Sequence, residues 1–406
     1  MTKSDLSFPK LRAVDPRLIV HEGRPLIMLR DPLQLTENIL LVPQQMAPLL
    51  ALCDGTRENA RALSLAFALR FGVMIDERMI EQLLAALDQA LLLDNHRFRE
   101  ARSRALDAYH QLPFRPPALA GKAYPAEADD LKRMLEGFVD GIVEPQSSIG
   151  RGVISPHIDY ARGGPVYARV WKRAAKSARE ADLVVLLGTD HYGGDSSITL
   201  TRQSYATPFG VLPTARKVVD ALAEALGEEA AFAGEFRHRS EHSIELASIW
   251  LHYIRDGQPV EMVPILCGSF ARFIHTDEKP ESDAQLNSLL RVLEEKTAGR
   301  RVMIVAAADL AHVGPAFGGE VIDLAAREEL KESDGELVEL MKAGDAEGFF
   351  GAIKRVEDRN NVCGVSPIYL ALRLLANARG ESVAYDRCPA DQDMTSFVSV
   401  CGVVLD

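Results

Sequence analysis

Four histidines stand where apolar runs give way to polar turns: His157 in GVISPHIDY, His191 in LVVLLGTDHYGG, His242 in RSEHSIE and His312 in VMIVAAADLAHVG. The chain has only 10 histidines, so the placement is selective. Imidazoles gathered in one place are the raw material of a metal site or of acid–base chemistry. Their neighbours suit either use. Pro156 restricts the backbone of Ser155 and helps fix the direction of the chain into His157. Gly188 would permit a sharp turn before His191, and Asp190 would accept a hydrogen bond from its imidazole. Glu241 and Glu245 are four apart and share a face if a helix has begun there. Ser240 or Glu241 could instead cap that helix or meet its dipole. The second histidine of HExxH is missing, so a zincin is excluded. The spacing of three between Asp309 and His312 predicts that both face one side of a helical turn, with Asp309 orienting His312 as a general acid or base. Any one of these residues could be purely structural; the recurrence of the pattern is what argues for chemistry.

The five cysteines, Cys53, Cys267, Cys363, Cys388 and Cys401, are far apart and form no CxxC. A disulfide scaffold or zinc ribbon is therefore excluded, and most should be small buried hydrophobes. Cys388 differs, because it lies in a polar stretch, AYDRCPADQD. Beside imidazoles, its thiolate would be a soft metal ligand or a nucleophile.

The elements that must position these residues alternate from Gly152 onward. Strand-like runs are GVISPH, ADLVVLLGT, VEMVPILCG, RVMIVAAA and SFVSVCGVVLD. Helix-like runs are GPVYARVWKRAAKSA, TARKVVDALAEALG, HSIELASIWLHYI, ESDAQLNSLLRVLEEKT and VSPIYLALRLLANA. This alternation predicts an α/β domain over 106–406, with a mainly parallel mixed sheet flanked by helices. Ligands of such sheets bind at the carboxyl ends of the strands. The Pro-rich HQLPFRPPALAGKAYPAE marks its entry. Residues 1–105 read as a separate small α+β domain: strands in RPLIMLRDP and TENILLV, then three helices, the third capped by Asp76 and the first two stopped by Gly55 and Gly72. This block resembles the peptide-binding, winged-helix-like PqqD modules through its LLVP and DGTR segments.

With a net charge of −12, the 406-residue chain is unsuited to non-specific nucleic-acid binding or an anionic membrane. No apolar run approaches a transmembrane length, and MTKSDLSFPKLRAVDP carries no secretory h-region, so a cytoplasmic location is expected. Neither GxGxxG after the first strand nor GxxxxGK[ST] occurs, which removes dinucleotide and nucleoside-triphosphate binding.

Nine segments occur in the order of one known family: AGKAYPAE, SPHIDY, LGTDHYGG, TPFG, EHSIE, VPILCG, ADLAHVG, NVCGVSPI and CPADQDMTSFVSVCGVVL. Over about residues 119–406 the chain thus resembles the Memo-like family, whose bacterial members are called AmmeMemoRadiSam system protein B. The resemblance implies a fold like that of the class III extradiol dioxygenases. It also implies non-haem Fe(II), with Cu or Zn as alternatives, held by two histidines and a cysteine carried onto His157, His191 and Cys388. His312, with Asp309, would be the acid–base catalyst, and His242 would line the pocket and share the catalytic work. The chain departs from the family pattern at Tyr192, at Ile158 and Asp159, and at Lys122 and Ala123, so the unknown small-molecule substrate would see a distinct pocket. Two functions follow. One is a mononuclear, dioxygenase-like oxidoreductase. The other is a non-catalytic metal- or partner-binding component acting with a radical-SAM protein and an AMMECR-type protein, through the N-terminal domain. A metal-free acid–base enzyme using His242 and His312 is a third.

Overall fold

The computed structural model describes residues 6–143, 150–194 and 197–406. The chain divides into two compact units, Met1–Leu112 and Pro113–Asp406. The division falls inside the Pro-rich segment.

In the first unit, β1 (Asp15–His21), β2 (Arg24–Arg30) and β3 (Leu40–Pro43) form an antiparallel sheet in sequence order. Four helices follow: α1 (Ala47–Leu52), α2 (Ala60–Phe71), α3 (Glu77–Gln89) and α4 (His96–Gln111). Asp76 caps α3 by accepting from Arg78 N, and Gly72 ends α2 in the left-handed conformation. Leu29, Val42, Leu49, Leu63 and Leu84 build the core. The sequence reading missed β1 and α4. β1 is an edge strand that leaves Leu18 and Val20 exposed. α4 buries only Tyr109, so it shows no apolar stripe to detect.

The second unit is built on an eight-stranded mixed sheet. Its strands are β4 (Gly152–Ser155), β5 (Leu183–Thr189), β6 (Ile198–Leu200), β9 (Glu261–Cys267), β10 (Val302–Ala307), β11 (His312–Val313), β12 (Gly380–Pro389) and β13 (Phe397–Leu405). β7 (Tyr205–Thr207) and β8 (Gly210–Leu212) form a separate hairpin. The order β4-β10-β5-β9 is parallel throughout. Those four strands, with β13, are the five runs read from the sequence. β13 is antiparallel to β4, because it returns from β12 as a hairpin. β6 closes the other edge antiparallel to β9.

Helices cover both faces. α5 (Ala128–Val139), α6 (Tyr160–Arg173), α7 (Ala175–Glu180) and α10 (His242–Ile254) lie on one side; α8 (Arg216–Leu226), α12 (Ala284–Thr297), α13 (Leu324–Lys342), α14 (Ala346–Arg355) and α15 (Val365–Leu374) lie on the other. The short α9 (Glu228–Phe232) and α11 (Ala271–His275) complete the set. Along β5 the period of two is explicit: Leu183, Val185 and Leu187 feed one core, and Val184 and Leu186 feed the other. A sheet buried on both faces reads as a continuous apolar run, which is why these strands were legible. No helix among the described residues is long and apolar enough to cross a membrane.

Candidate metal centre

Parallel strands deliver their carboxyl ends to one edge of the sheet. His157 follows β4, His191 follows β5 and Asp309 follows β10. His242 opens α10 at the same edge. Gly188 explains how it gets there. A Cβ at Gly188 would lie 2.6 Å from Ile244 Cγ1 and 2.6 Å from Ser243 Oγ, so the missing side chain lets the first turn of α10 settle on β5. Ser243 Oγ then donates to Thr189 O at 2.8 Å. Gly188 thus serves close approach within a strand, not the sharp turn expected of it.

His157, His191 and His242 form one cluster, each offering a ligand nitrogen within 4.8 Å of the others. The His191 and His242 rings stack at 4.6 Å, and His157 stands edge-on to them at 5.0 and 5.3 Å. His157 is buried, whereas His191 and His242 are each partly open to solvent.

Each ring is held from behind. His157 Nδ1 lies 2.9 Å from Ala307 O, which turns Nε2 toward the cluster. His157 N donates to Asp309 Oδ1 at 2.8 Å, and Ile158 N reaches the same oxygen. His191 Nδ1 is 3.0 Å from Glu241 Oε1, and His191 N donates to Glu241 Oε2 at 3.1 Å. His242 Nδ1 is 3.1 Å from Glu241 Oε1. Glu241 is also the N-cap of α10, accepting from His242 N and Ser243 N.

A sulfur adjoins the group at His157, and it belongs to Cys363. Its Sγ lies 3.3 Å from His157 Nε2. Thr189 Oγ1 donates to Cys363 O, and Gly364 permits the approach: a Cβ there would stand 2.4 Å from Asp309 O. Burial opposes ionisation of this thiol. The positive charge of His157 and His312 and hydrogen bonds from His157 and His191 outweigh it, holding the thiol well below its ordinary range. Burial likewise opposes protonation of His157, but Asp309 and Cys363 raise it to about 9. His191 is raised by Glu241 and Cys363 against its burial, and Glu241 is lowered by His191 and His242 against its own.

The structure places the remaining expected residues as follows. Cys388 is not in the cluster. It lies in β12, paired with Val398, 3% exposed, with Ala384 on the same buried face. Its Sγ donates to Arg162 O at 3.6 Å, and burial first, then nearby carboxylates, push the thiol up to about 12. The polar spelling of AYDRCPADQD is the outward half of a strand's alternation. Asp309 does not orient His312. No helical turn connects them, because the chain leaves β10 extended and enters β11 at His312. Asp309 serves His157 instead. His312 donates its N–H to Asn360 O, holds Nδ1 3.2 Å from Leu310 O, and meets Phe317 edge-on at 5.1 Å. Asp190 turns away to an ion pair with Arg237 at 2.8 Å, so Glu241 takes the orienting role expected of Asp190.

Sequence reasoning missed Cys363 and Glu241 as site residues. A signal existed for the first: a Cys-Gly pair immediately before a helix start, where the glycine marks close backbone approach. Nothing in the spelling of EHSIE separates a capping carboxylate from one that also reaches two imidazoles.

A mixed α/β sheet with a histidine–cysteine cluster at its strand ends defines the class. The Memo-like protein family model matches residues 115–404, and the chain belongs to that family. It is 27% identical over 384 residues to a MEMO1 family protein of Aquifex aeolicus, covering 93% of this chain and 95% of that one. It is 29% identical over 297 residues to a MEMO1 family protein of Methanosarcina barkeri, covering 72% of this chain and 100% of that one. The archaeal match thus accounts for a whole relative with part of this chain, whereas the bacterial match extends over nearly all of it.

Proposed function

We propose that the chain is a mononuclear metal protein, a non-haem iron redox enzyme, with its centre at His157, His191 and His242 and with Cys363 as the adjoining sulfur donor. The observation that carries the reading is the convergence of three imidazoles, each held at Nδ1, on one point. Two ligands each about 2.1 Å from a metal lie at most roughly 4.2 Å apart, so a modest inward movement of these rings suffices. The donor set fits: imidazoles that give up a proton as a metal binds, and a readily ionised thiol, suit iron, copper or zinc. Iron, when bound, supplies redox chemistry and Lewis acidity at this edge of the sheet. Asp309 and Glu241 fix the ligands and balance charge in a buried setting. His312, held at Nδ1 by Leu310 O, presents Nε2 to take or give a proton. Partly exposed His242 stands on the open side, where a small substrate would enter. The likeness to extradiol dioxygenases belongs to this reading.

Anaerobic purification with elemental analysis and metal spectroscopy tests it. Wild-type protein should carry about one equivalent of iron, and His157→Ala should carry none. Iron retained stoichiometrically by His157→Ala would sink the site. Zinc alone in the wild type would remove the redox half of the proposal.

A second reading concerns the first unit, taken as a winged-helix-like module for a protein partner such as a radical-SAM or AMMECR-type protein. It is favoured by exposed Leu18, Val20, Leu69 and Met74, and by the archaeal relative's complete match without needing the whole chain. Deleting residues 1–112 should abolish partner capture while leaving metal content intact. Unchanged capture would refute it.

A further inference from the structure

We infer that Glu241 is the positioning residue of the site: one buried carboxylate that fixes both His191 and His242 by taking their Nδ1 hydrogens. The inference rests on the metal reading above for its functional consequence, but not for its geometry.

Two parts of the fold meet at this carboxylate: the turn after β5 and the first turn of α10. Oε1 lies 3.0 Å from His191 Nδ1, 3.1 Å from His242 Nδ1 and 2.8 Å from His242 N. It also accepts from Ser243 N at 3.1 Å, and Oε2 accepts from His191 N at 3.1 Å. Every visible partner is a donor, as an acceptor-only group requires. The residue itself is held in place. Arg115 Nη2 donates to Glu241 O at 3.0 Å, and the same guanidinium pairs with buried Glu245 one turn further along α10. Glu245 in turn accepts from Ala118 N, Leu119 N and the Tyr124 hydroxyl. The segment entering the second unit therefore clamps the helix start whose cap is Glu241.

The chemistry follows from which nitrogen carries hydrogen. A carboxylate cannot donate, so a neutral ring facing it keeps its hydrogen on Nδ1 and leaves Nε2 with a lone pair. Once neutral, both rings are thereby set as Nε2 ligands. His191 and His242, which share this acceptor, stack near-parallel at 18° between planes. Glutamine has nearly the same shape but an amide that donates. Its NH2 would meet one Nδ1, force that ring's hydrogen onto Nε2 and blunt its ligand face. Removing an outer-shell partner of this kind typically costs 10–100-fold in metal affinity.

The test uses full-length protein, with Zn(II) as probe, in wild type, Glu241→Gln and Glu241→Asp. Asp keeps the helix cap and the charge but is one methylene short of the rings. Zn(II) affinity is read by chelator competition, and ring nitrogens by 15N-resolved NMR of the histidines, with thermal melting as the check on folding. We expect both variants to melt as cooperatively as wild type. Both should lose 10–100-fold in Zn(II) affinity, and the Gln variant should move a ring hydrogen from Nδ1 to Nε2. Should either variant bind Zn(II) as wild type does, Glu241 is a helix cap and the inference fails. Unchanged ring-nitrogen signals in Glu241→Gln, read at a pH where the rings are neutral, also overturn it, and that readout stands without bound metal. Absence of Zn(II) or iron binding by wild type would instead overturn the metal reading, leaving the ring signals to decide on Glu241.

Discussion

Two cysteines compete for the sulfur position, and the structure makes opposite demands of them. Cys388 is 3% exposed and its thiol is raised from 9.0 to about 12 by burial, Asp386 and Asp309. That rise makes its thiolate about 4 kcal/mol harder to form than an ordinary one, and at pH 7.5 leaves roughly one molecule in 30,000 ionised. It would also have to leave its contact with Arg162 O and its place in β12. Cys363 already lies 3.3 Å from His157 Nε2, with its thiol held well below the ordinary range. Only the thiolate ligates. Cobalt(II) reports the difference, since a bound thiolate adds a sulfur-to-metal charge-transfer band in the near ultraviolet. The band should vanish in Cys363→Ser and persist in Cys388→Ser, with Co(II) weakened at least tenfold in the first alone. A band that survives Cys363→Ser and disappears in Cys388→Ser would refute both the assignment and the electrostatic reasoning behind it.

Three further outcomes follow from the geometry. Arg115→Met should destabilise the second unit by about 3–5 kcal/mol, because it strands the buried carboxylate of Glu245. Calorimetry should then show a melting point about 5–8 °C lower, and a change within error would show that the pair is compensated. His238 is lowered from 6.5 to about 3, by burial first and then by Arg115 and Arg237. Its folded value lies below the unfolded one, so its stabilisation is whole above about pH 6.5 and declines on acidification at up to roughly 1.4 kcal/mol per pH unit. Denaturant titrations from pH 7 to 4 should show that slope flatten in His238→Asn, and an equal slope would refute the assignment. Gly188→Ala should cost about 1–3 kcal/mol by forcing Ser243 and Ile244 off β5. It should also weaken metal binding by displacing His242, and unaltered affinity would separate that helix start from the site.

Much of the scaffold was legible because burial on both faces writes parallel strands as unbroken apolar runs. β4, β5, β9, β10 and β13 were all read correctly, as was α10, whose cap the sequence left between Ser240 and Glu241. β1, α4, α13 and α14 escaped the reading, as did β6, β7, β8, β11 and β12 and the short α9 and α11. α4 and β1 are poorly buried, and α13 is interrupted on its exposed face by a charge-rich surface, LAAREELKESDGELVELMK. The antiparallel return of β13 was invisible because direction is set by the connection through β12, not by the residues of the strand.

The sequence by itself determined the family and placed the histidines at the ends of strands. It could do so because those features are local, written within a few residues of each strand end. Only the tertiary structure decided the partnerships. Asp309 went to His157 and not to His312, Glu241 and not Asp190 met the His191 ring, and Cys363, not Cys388, came to lie beside His157. The physical reason is the same each time. A side chain's partner depends on which strand ends lie side by side and which face of a strand turns inward. Neither is recorded in spacing along the chain.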